Sequence, residues 1–256
     1  MEPVFSHLFK NDIWEVLPSG NKLLITTRDS EGLQVSFSLF DLKEYQFVWE
    51  NISFEESWWI SVYDFQGDVI VFQTYNDTQD IEARSVFGFD IHTSEALWSI
   101  ADVKLNKAVD GQLTVTPLSG EDDSFTIDVT TGEEVVRVQG VDSNVSAEKD
   151  YKFPIHYESD NPHFETLSSF VLSKLNLELV GSCDYLEIPA FFAIAVNSKK
   201  NTGYNLDLFV FNHDGSLLLA KTLDQELKGL ASGTFFIVGQ ALIFVEGKRN
   251  LVFYSF

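Results

Sequence analysis

Phe40-Asp41-Leu42-Lys43-Glu44-Tyr45-Gln46-Phe47-Val48-Trp49 decides the fold, because its outline returns as Phe89-Asp90-Ile91-His92-Thr93-Ser94-Glu95-Ala96-Leu97-Trp98. An apolar strand ends in Asp, a short polar turn follows, and a Trp closes the next strand eight positions after the Asp. A third copy, Ile127-Asp128-Val129-Thr130-Thr131-Gly132-Glu133-Glu134-Val135-Val136, keeps the Asp and a Thr-Gly turn and places Val136 where Trp would stand. A fourth, Phe211-Asn212-His213-Asp214-Gly215-Ser216-Leu217-Leu218, is one residue tighter and replaces the Asp by Asn212. Asp readily accepts amide hydrogen bonds from its own tight turn, and a large aromatic fills the space between neighbouring sheets. The motif residues Asp41, Trp49, Asp90, Trp98 and Asp128 are therefore read as structural.

Asp41 and Asp90 lie 49 residues apart, Asp90 and Asp128 lie 38 apart, and Asp128 and Asn212 lie 84 apart, two steps of 42. A missing copy is expected near Ser173, where Ser169 to Leu179 has a strand-turn-strand outline. The intervening runs alternate apolar and polar residues, rich in Val, Ile, Phe and Thr and preceded by Gly- or Asn-containing turns. Lys22 to Thr27, Asp68 to Thr74, Gln112 to Thr116 and Ala241 to Val245 are examples, and this is the pattern of half-buried strands. The two best helix candidates, Leu172 to Leu179 and Leu223 to Leu230, are too short to overturn an all-β reading. Units of about 40–50 residues with four short strands have the period of a propeller blade.

The Asp-x-x-Thr-Gly-x-x-x-Trp outline resembles the blade repeats of quinoprotein-type (PQQ-like) and tryptophan-aspartate-type β-propellers. The resemblance and the spacing together imply an all-β, single-domain propeller over 1–256. About six four-stranded blades are expected at 10–50, 51–99, 100–138, 139–182, 183–222 and 223–256. The last would be completed by 1–9, so that Pro3 to Phe9 pairs with Asn250 to Phe256 and closes the ring. Five blades result if 139–182 is one expanded insertion. No cofactor is implied, since a bound quinone depends on residues outside the repeat.

Composition narrows the function. With 17 Lys+Arg against 39 Asp+Glu the formal charge is −22, which disfavours nucleic acid and anionic membrane surfaces as partners. The adjacent basic pair Lys199-Lys200 beside a loop asparagine reads as a solvated turn. The start Met1 to His7 carries no signal-peptide pattern, and the apolar run Ile188 to Val196 is about half a membrane span. The single Cys183 has no thiol to pair with, and a cytoplasmic monomer is the expectation.

Two constellations could bind a ligand. His156, Glu158, Asp160 and His163 fall within Ile155 to His163, and imidazole with carboxylate suits zinc, nickel or iron, although the spacing matches no metal motif and the metal stays unknown. Trp58-Trp59, preceded by Glu55-Glu56, opens the second unit as Trp14 opens the first. Adjacent strand residues face opposite sides, so one of the pair is core and the other faces a neighbouring sheet, a sugar or a basic peptide. The acidic stretches Asn76 to Glu82 and Gly120 to Asp123 lack calcium-loop spacing and read as hairpin tips. No Gly-x-Ser-x-Gly elbow or phosphate-binding loop is present. The reading is a non-catalytic binding or scaffold module for a protein or small-molecule ligand. The alternative is a hydrolase or lyase acting on a small or carbohydrate ligand at the channel mouth, with a metal near His156 and His163 as one form of it.

Overall fold

A computed structural model describes residues 2–76, 81–119, 124–135, 151–200 and 203–256. The chain runs β1 (Phe5–Leu8), β2 (Asp12–Ser19), β3 (Lys22–Asp29), β4 (Gln34–Asp41), β5 (Gln46–Ile52), β6 (Ile60–Gln66), β7 (Val69–Tyr75), β8 (Arg84–Asp90), β9 (Ala96–Val109), β10 (Gln112–Pro117) and β11 (Phe125–Asp128). It continues through β12 (Tyr151–Lys152), β13 (Ile155–Glu158), α1 (Phe164–Leu175), β14 (Ser182–Glu187), β15 (Phe192–Lys200), β16 (Gly203–Phe211), β17 (Leu217–Leu227), β18 (Phe235–Val238), β19 (Ala241–Glu246) and β20 (Asn250–Ser255). The fold is therefore mostly β and antiparallel. It divides into two compact units, one of residues 15–149 and one of residues 1–14 with 150–256.

In the first of these, β2-β3-β4-β5 form a four-stranded sheet and β6 to β11 a six-stranded one. The inner strands are buried on both faces: in β3, Leu23 to Thr27 are all buried, whereas the edge strand β5 alternates. That contrast is why the inner strands read as continuous apolar runs. Leu24, Val35, Phe37 and Leu39 of one sheet pack against Ile60, Phe65, Ile70, Phe72 and Phe89 of the other. Strand β9 is 14 residues long; its first half pairs with β8 and its second with β10, and Asp102 adopts a left-handed φ of 53° at the junction.

The repeated motif builds the links inside this unit. Asp41 Oδ1 accepts from the amides of Lys43 and Glu44, Asp90 Oδ1 from those of His92 and Thr93, and Asp128 Oδ1 from those of Thr130 and Thr131. The fourth residue after each Asp is left-handed: Tyr45, Ser94 and Gly132. Each Trp then reaches into the next copy, Trp49 Nε1 donating to the Ile91 carbonyl at 3.0 Å and Trp98 Nε1 to that of Val129 at 2.8 Å. Both acceptors are the residue that follows a motif Asp.

The other unit holds β1-β20-β19-β18-β12 and β13-β14-β15-β16-β17. Strand β1 pairs antiparallel with the last strand, Phe5 opposite Phe253 and Leu8 opposite Asn250. Ala193, Ala195, Leu208 and Val210 of one sheet pack against Phe235, Ile237, Leu242 and Tyr254 of the other. The opposite face of the β13–β17 sheet, carrying Cys183, Ile194, Val196, Phe209 and Phe211, is covered by Val171, with Leu167, Phe170 and Leu175, all from α1.

That helix corrects the sequence reading. Within the described part of the stretch 139–182, residues 151–182, Ser173 lies in α1 instead of a strand-turn-strand copy. This part supplies β12 to one sheet and β13 to another, and Phe164, Leu167, Val171 and Leu175 recur at helical spacing to cover one face of the β13–β17 sheet. The period-2 pattern of Leu175, Leu177 and Leu179 masked the helical one before it. The second helix candidate, Leu223 to Leu230, begins within β17. Hydrogen bonding joins the described strands into four antiparallel sheets of four to six strands. Val136, Asp77 to Asp80 and Gly120 to Asp123 lie outside the described residues. Among the described residues no helix is long and apolar enough to cross a membrane.

Candidate functional site

Strand β13 is a short edge strand paired to β14, with His156 directly opposite Asp184 and Glu158 opposite Ser182. On β14, Cys183 and Asp184 face opposite sides. Cys183 is fully buried on the side of α1, where burial, with the neighbouring Asp184 carboxyl adding to it, pushes its thiol up to about 12. Asp184 is 2% exposed, and its Oδ1 lies 2.7 Å from His156 Nδ1. Its Oδ2 accepts from the backbone amide and hydroxyl of Thr234, both at 3.3 Å. A carboxylate offers only acceptors, so Nδ1 is the donor in this contact, and it is the uncharged form of the ring that leaves Nε2 as an acceptor.

A second buried polar residue completes the support. Asn197, 1% exposed on β15, accepts from the Ala231 amide and donates to the carbonyls of Ala231 and Ser182. Asp184 and Asn197 together fix the irregular segment Leu230 to Thr234 against β14. Gly181 lets that segment close in: its φ is +71°, and a Cβ there would lie 2.4 Å from Leu230 Cδ1. The result is a cleft of about 330 Å³ lined by His156, Glu158, Ser159, Gly181, Ser182, Leu230, Ala231 and Ser232. His156 Nε2 and Glu158 Oε1 stand 4.0 Å apart on its wall.

The structure thus brings together two of the four residues singled out between Ile155 and His163. Asp160 is exposed in the turn that follows β13. His163 precedes α1, with its amide donating to Asn161 Oδ1 and its ring edge-on to Tyr157 at 6.3 Å, and it does not line the cleft. Among the described residues, no three His, Cys, Asp or Glu side chains are grouped to hold a metal ion. Trp58 and Trp59 belong to the other unit. Trp58 packs on the core between its two sheets with the Arg28 guanidinium 5.3 Å above its ring. Trp59 is 48% exposed and edge-on to Tyr75, and Glu56 Oε1 accepts from the amides of both tryptophans.

Sequence reasoning missed Asp184, Asn197 and Thr234. The signal was present: a carboxylate inside the strand Ser-Cys-Asp-Tyr-Leu-Glu and an amide ending the apolar run Ala193 to Val196 are polar groups at core positions. Such groups persist only when fully hydrogen-bonded.

Comparison with known proteins leaves the chemistry open. A family model described as a domain of unknown function (DUF4905) matches residues 17–98, less than half of the chain. No curated protein matches. Among solved structures, the chain is similar to BamB from Moraxella catarrhalis at 10% identity and a TM-score of 0.32, covering 100% of this chain and 99% of that one. It is similar to a member of the DUF4221 family from Bacteroides vulgatus at 8% identity and a TM-score of 0.34, covering 99% and 96%. For the β-propeller domain of the Trilobed protease from Pyrococcus furiosus the identity is 11% and the TM-score 0.32, over 96% of this chain and 69% of that one.

Proposed function

We propose that the sheets are blades of a divergent β-propeller and that the chain is a non-catalytic binding module whose ligand sits in the His156 cleft. Support for the blades comes from the antiparallel order of consecutive strands, the Asp turns that return at blade spacing, and the face-to-face packing inside each unit. Read this way the blades number five, with β9 shared between two of them and 139–182 as the expanded insertion. The protein acts as a cytoplasmic monomer, and its charge of −22 turns it away from nucleic acid and anionic membranes. Exposed Trp59 is a second contact point, for a protein partner.

The observation that carries the binding reading is the pair of buried polar side chains, Asp184 and Asn197, spent on holding an irregular segment and one imidazole around an open space. Burial of such groups stabilises nothing that apolar residues would not stabilise better. Their use here marks a pre-organised site. The carboxylate-oriented His156 also favours a second reading, a hydrolase or lyase in which Nε2 is a general base.

Ligand-observed NMR with four probe classes (aliphatic amines, polyols, short carboxylates and monosaccharides) separates these. Saturation transfer to one class that disappears in Ser232→Trp, with the probe unchanged after a day, is the expected result. No transfer to any class overturns the binding reading. Conversion of a probe or of a simple ester, lost in His156→Ala, replaces it by the enzyme.

A further inference from the structure

We infer that the cleft takes a primary ammonium group carried on a short aliphatic stem, an inference that rests on the cleft being a binding site. With Nδ1–H committed to Asp184, the uncharged His156 ring offers its Nε2 lone pair, and Glu158 Oε1 offers another acceptor 4.0 Å away. Two acceptors side by side at that separation can share one donor seated in front of them. A protonated amine seated about 2.8 Å from each, the usual length of a charge-assisted hydrogen bond, spans the pair with two of its three N–H groups.

The same distance disfavours a metal. Two ligands each 2.0–2.1 Å from a tetrahedral zinc ion lie roughly 3.4 Å apart, closer than this pair, and among the described residues no three His, Cys, Asp or Glu side chains are grouped to hold an ion, Asp184 being turned to the other ring nitrogen. Among the described residues no lysine or arginine pairs with Glu158, whose side chain is 70% exposed. Its charge is therefore available to a ligand. Leu230 and Ala231 offer apolar surface for methylene groups, and Ser159, Ser182 and Ser232 offer hydroxyls that can satisfy the third N–H. The charge of −22 draws a cation toward the molecule. The ammonium has two sources, a free alkylamine or a lysine side chain of a peptide.

The test is NMR titration of the full chain with 1-aminopentane and with its neutral isostere 1-pentanol, following the His156 ring nitrogens and the amides of Ser182 and Ala231. The expected result is that 1-aminopentane shifts these signals and binds at least tenfold more tightly than 1-pentanol. Glu158→Gln, an exposed and isosteric change, should reduce the amine to the level of the alcohol and leave the alcohol unaltered. Equal binding of the two probes in the cleft, or amine binding indifferent to Glu158→Gln, overturns the ammonium assignment while the cleft stands. A His156 Nε2 that is protonated and paired with Glu158 at neutral pH, its signals unmoved by the amine, overturns it as well. If neither probe nor any other class touches the cleft, the binding reading falls with it. Nα-acetyl-lysine N-methylamide separates the sources: shifts at the same residues from this compound support a peptide lysine, and shifts from 1-aminopentane alone support a free amine.

Discussion

Replacing Gly132 by Ala measures how tightly the Asp turn and the Trp of the preceding copy are fitted together. Gly132 has a φ of +73°, and a Cβ built on it would lie 2.5 Å from both Cβ and Cγ of Trp98 and 2.8 Å from Cδ1. Carbon atoms prefer separations of about 3.5–4.0 Å. The nearest of these atoms is fixed directly to the Trp98 backbone, so a rotamer change cannot relieve the contact and the turn itself must shift. Overpacking of this kind costs about 1–3 kcal/mol, and a left-handed φ for an L-residue adds roughly 1–2 kcal/mol. The expected loss is therefore about 2–5 kcal/mol. Gly67→Ala is the control, since Gly67 has a φ of +58° with nothing within 4 Å of its Cβ position, and only the roughly 1–2 kcal/mol of conformational strain should appear. Urea unfolding followed by far-UV circular dichroism, with equal m-values for the variants, gives both numbers. Ser94 already carries a Cβ at the matching position of the preceding copy, with a φ of 57°. If Gly132→Ala falls within about 0.5 kcal/mol of Gly67→Ala, a spread usual for uncoupled sites, the turn has the slack that Ser94 exploits. The close fit between turn and indole would then not be a source of stability.

Three further outcomes are expected. Asn197→Ala strands the amide and carbonyl of Ala231 and loosens the Ser182 carbonyl, so unfolding should become easier by about 2–4 kcal/mol; a loss under about 0.5 kcal/mol would mean that Asn197 does not hold the cleft wall. The Asp128 carboxyl is held below its ordinary value, chiefly by the Thr130 hydroxyl and then by the Thr130 and Thr131 amides, which outweigh partial burial. Its native value is thus the depressed one, and its stabilisation is complete above the ordinary carboxylate range and disappears as pH falls through the native value. Asp128→Asn should accordingly flatten the fall of the urea midpoint below about pH 4 relative to the parent chain, and an unchanged slope would refute that link. The Cys183 thiol, raised to about 12 by burial, should stay unreactive toward a disulfide reagent at pH 8 and release one equivalent of colour on unfolding; rapid reaction of the folded chain would place it nearer the surface.

What could be read from the sequence followed the range of the interactions involved. The Asp turns are local: Asp90 and the amides it binds lie within three residues, so residue type and spacing sufficed to find them. The destination of each Trp was half visible. Its role between sheets followed from size, while the carbonyls it donates to, 42 residues on for Trp49 and 31 for Trp98, are set by packing that spacing does not encode. Helix α1 failed the reading for a physical reason. Its apolar residues are selected by the sheet face they cover, and its intrinsic periodicity is diluted by Ser168, Ser169 and Ser173 on the same short element. In the cleft, His156 and Glu158 stood out because two chemically active residues sit on one short strand. Asp184 escaped because its meaning lies 28 residues from its partner.

The site also lies where the repeat is interrupted, and the two facts have one cause. In the unit of residues 15–149, each of the three motif carboxylates closes a turn on itself and both motif Trp side chains end on a backbone carbonyl, so the polar groups of the motif satisfy one another. In the other unit, the fourth copy has Asn212 in place of the Asp and no Trp, and β13 and α1 replace a regular sheet on one side. An edge strand of four residues can present His156 and Glu158 outward because no further strand among the described residues pairs with it. The segment Leu230 to Thr234, freed from any ladder, then needs Asp184 and Asn197 to hold it. Filling both positions with apolar residues would remove the cost of burying them, but the imidazole would lose its fixed tautomer and the cleft its wall. Two buried polar side chains retained at this irregular place are what the proposed binding site would require and what a purely structural sheet would discard.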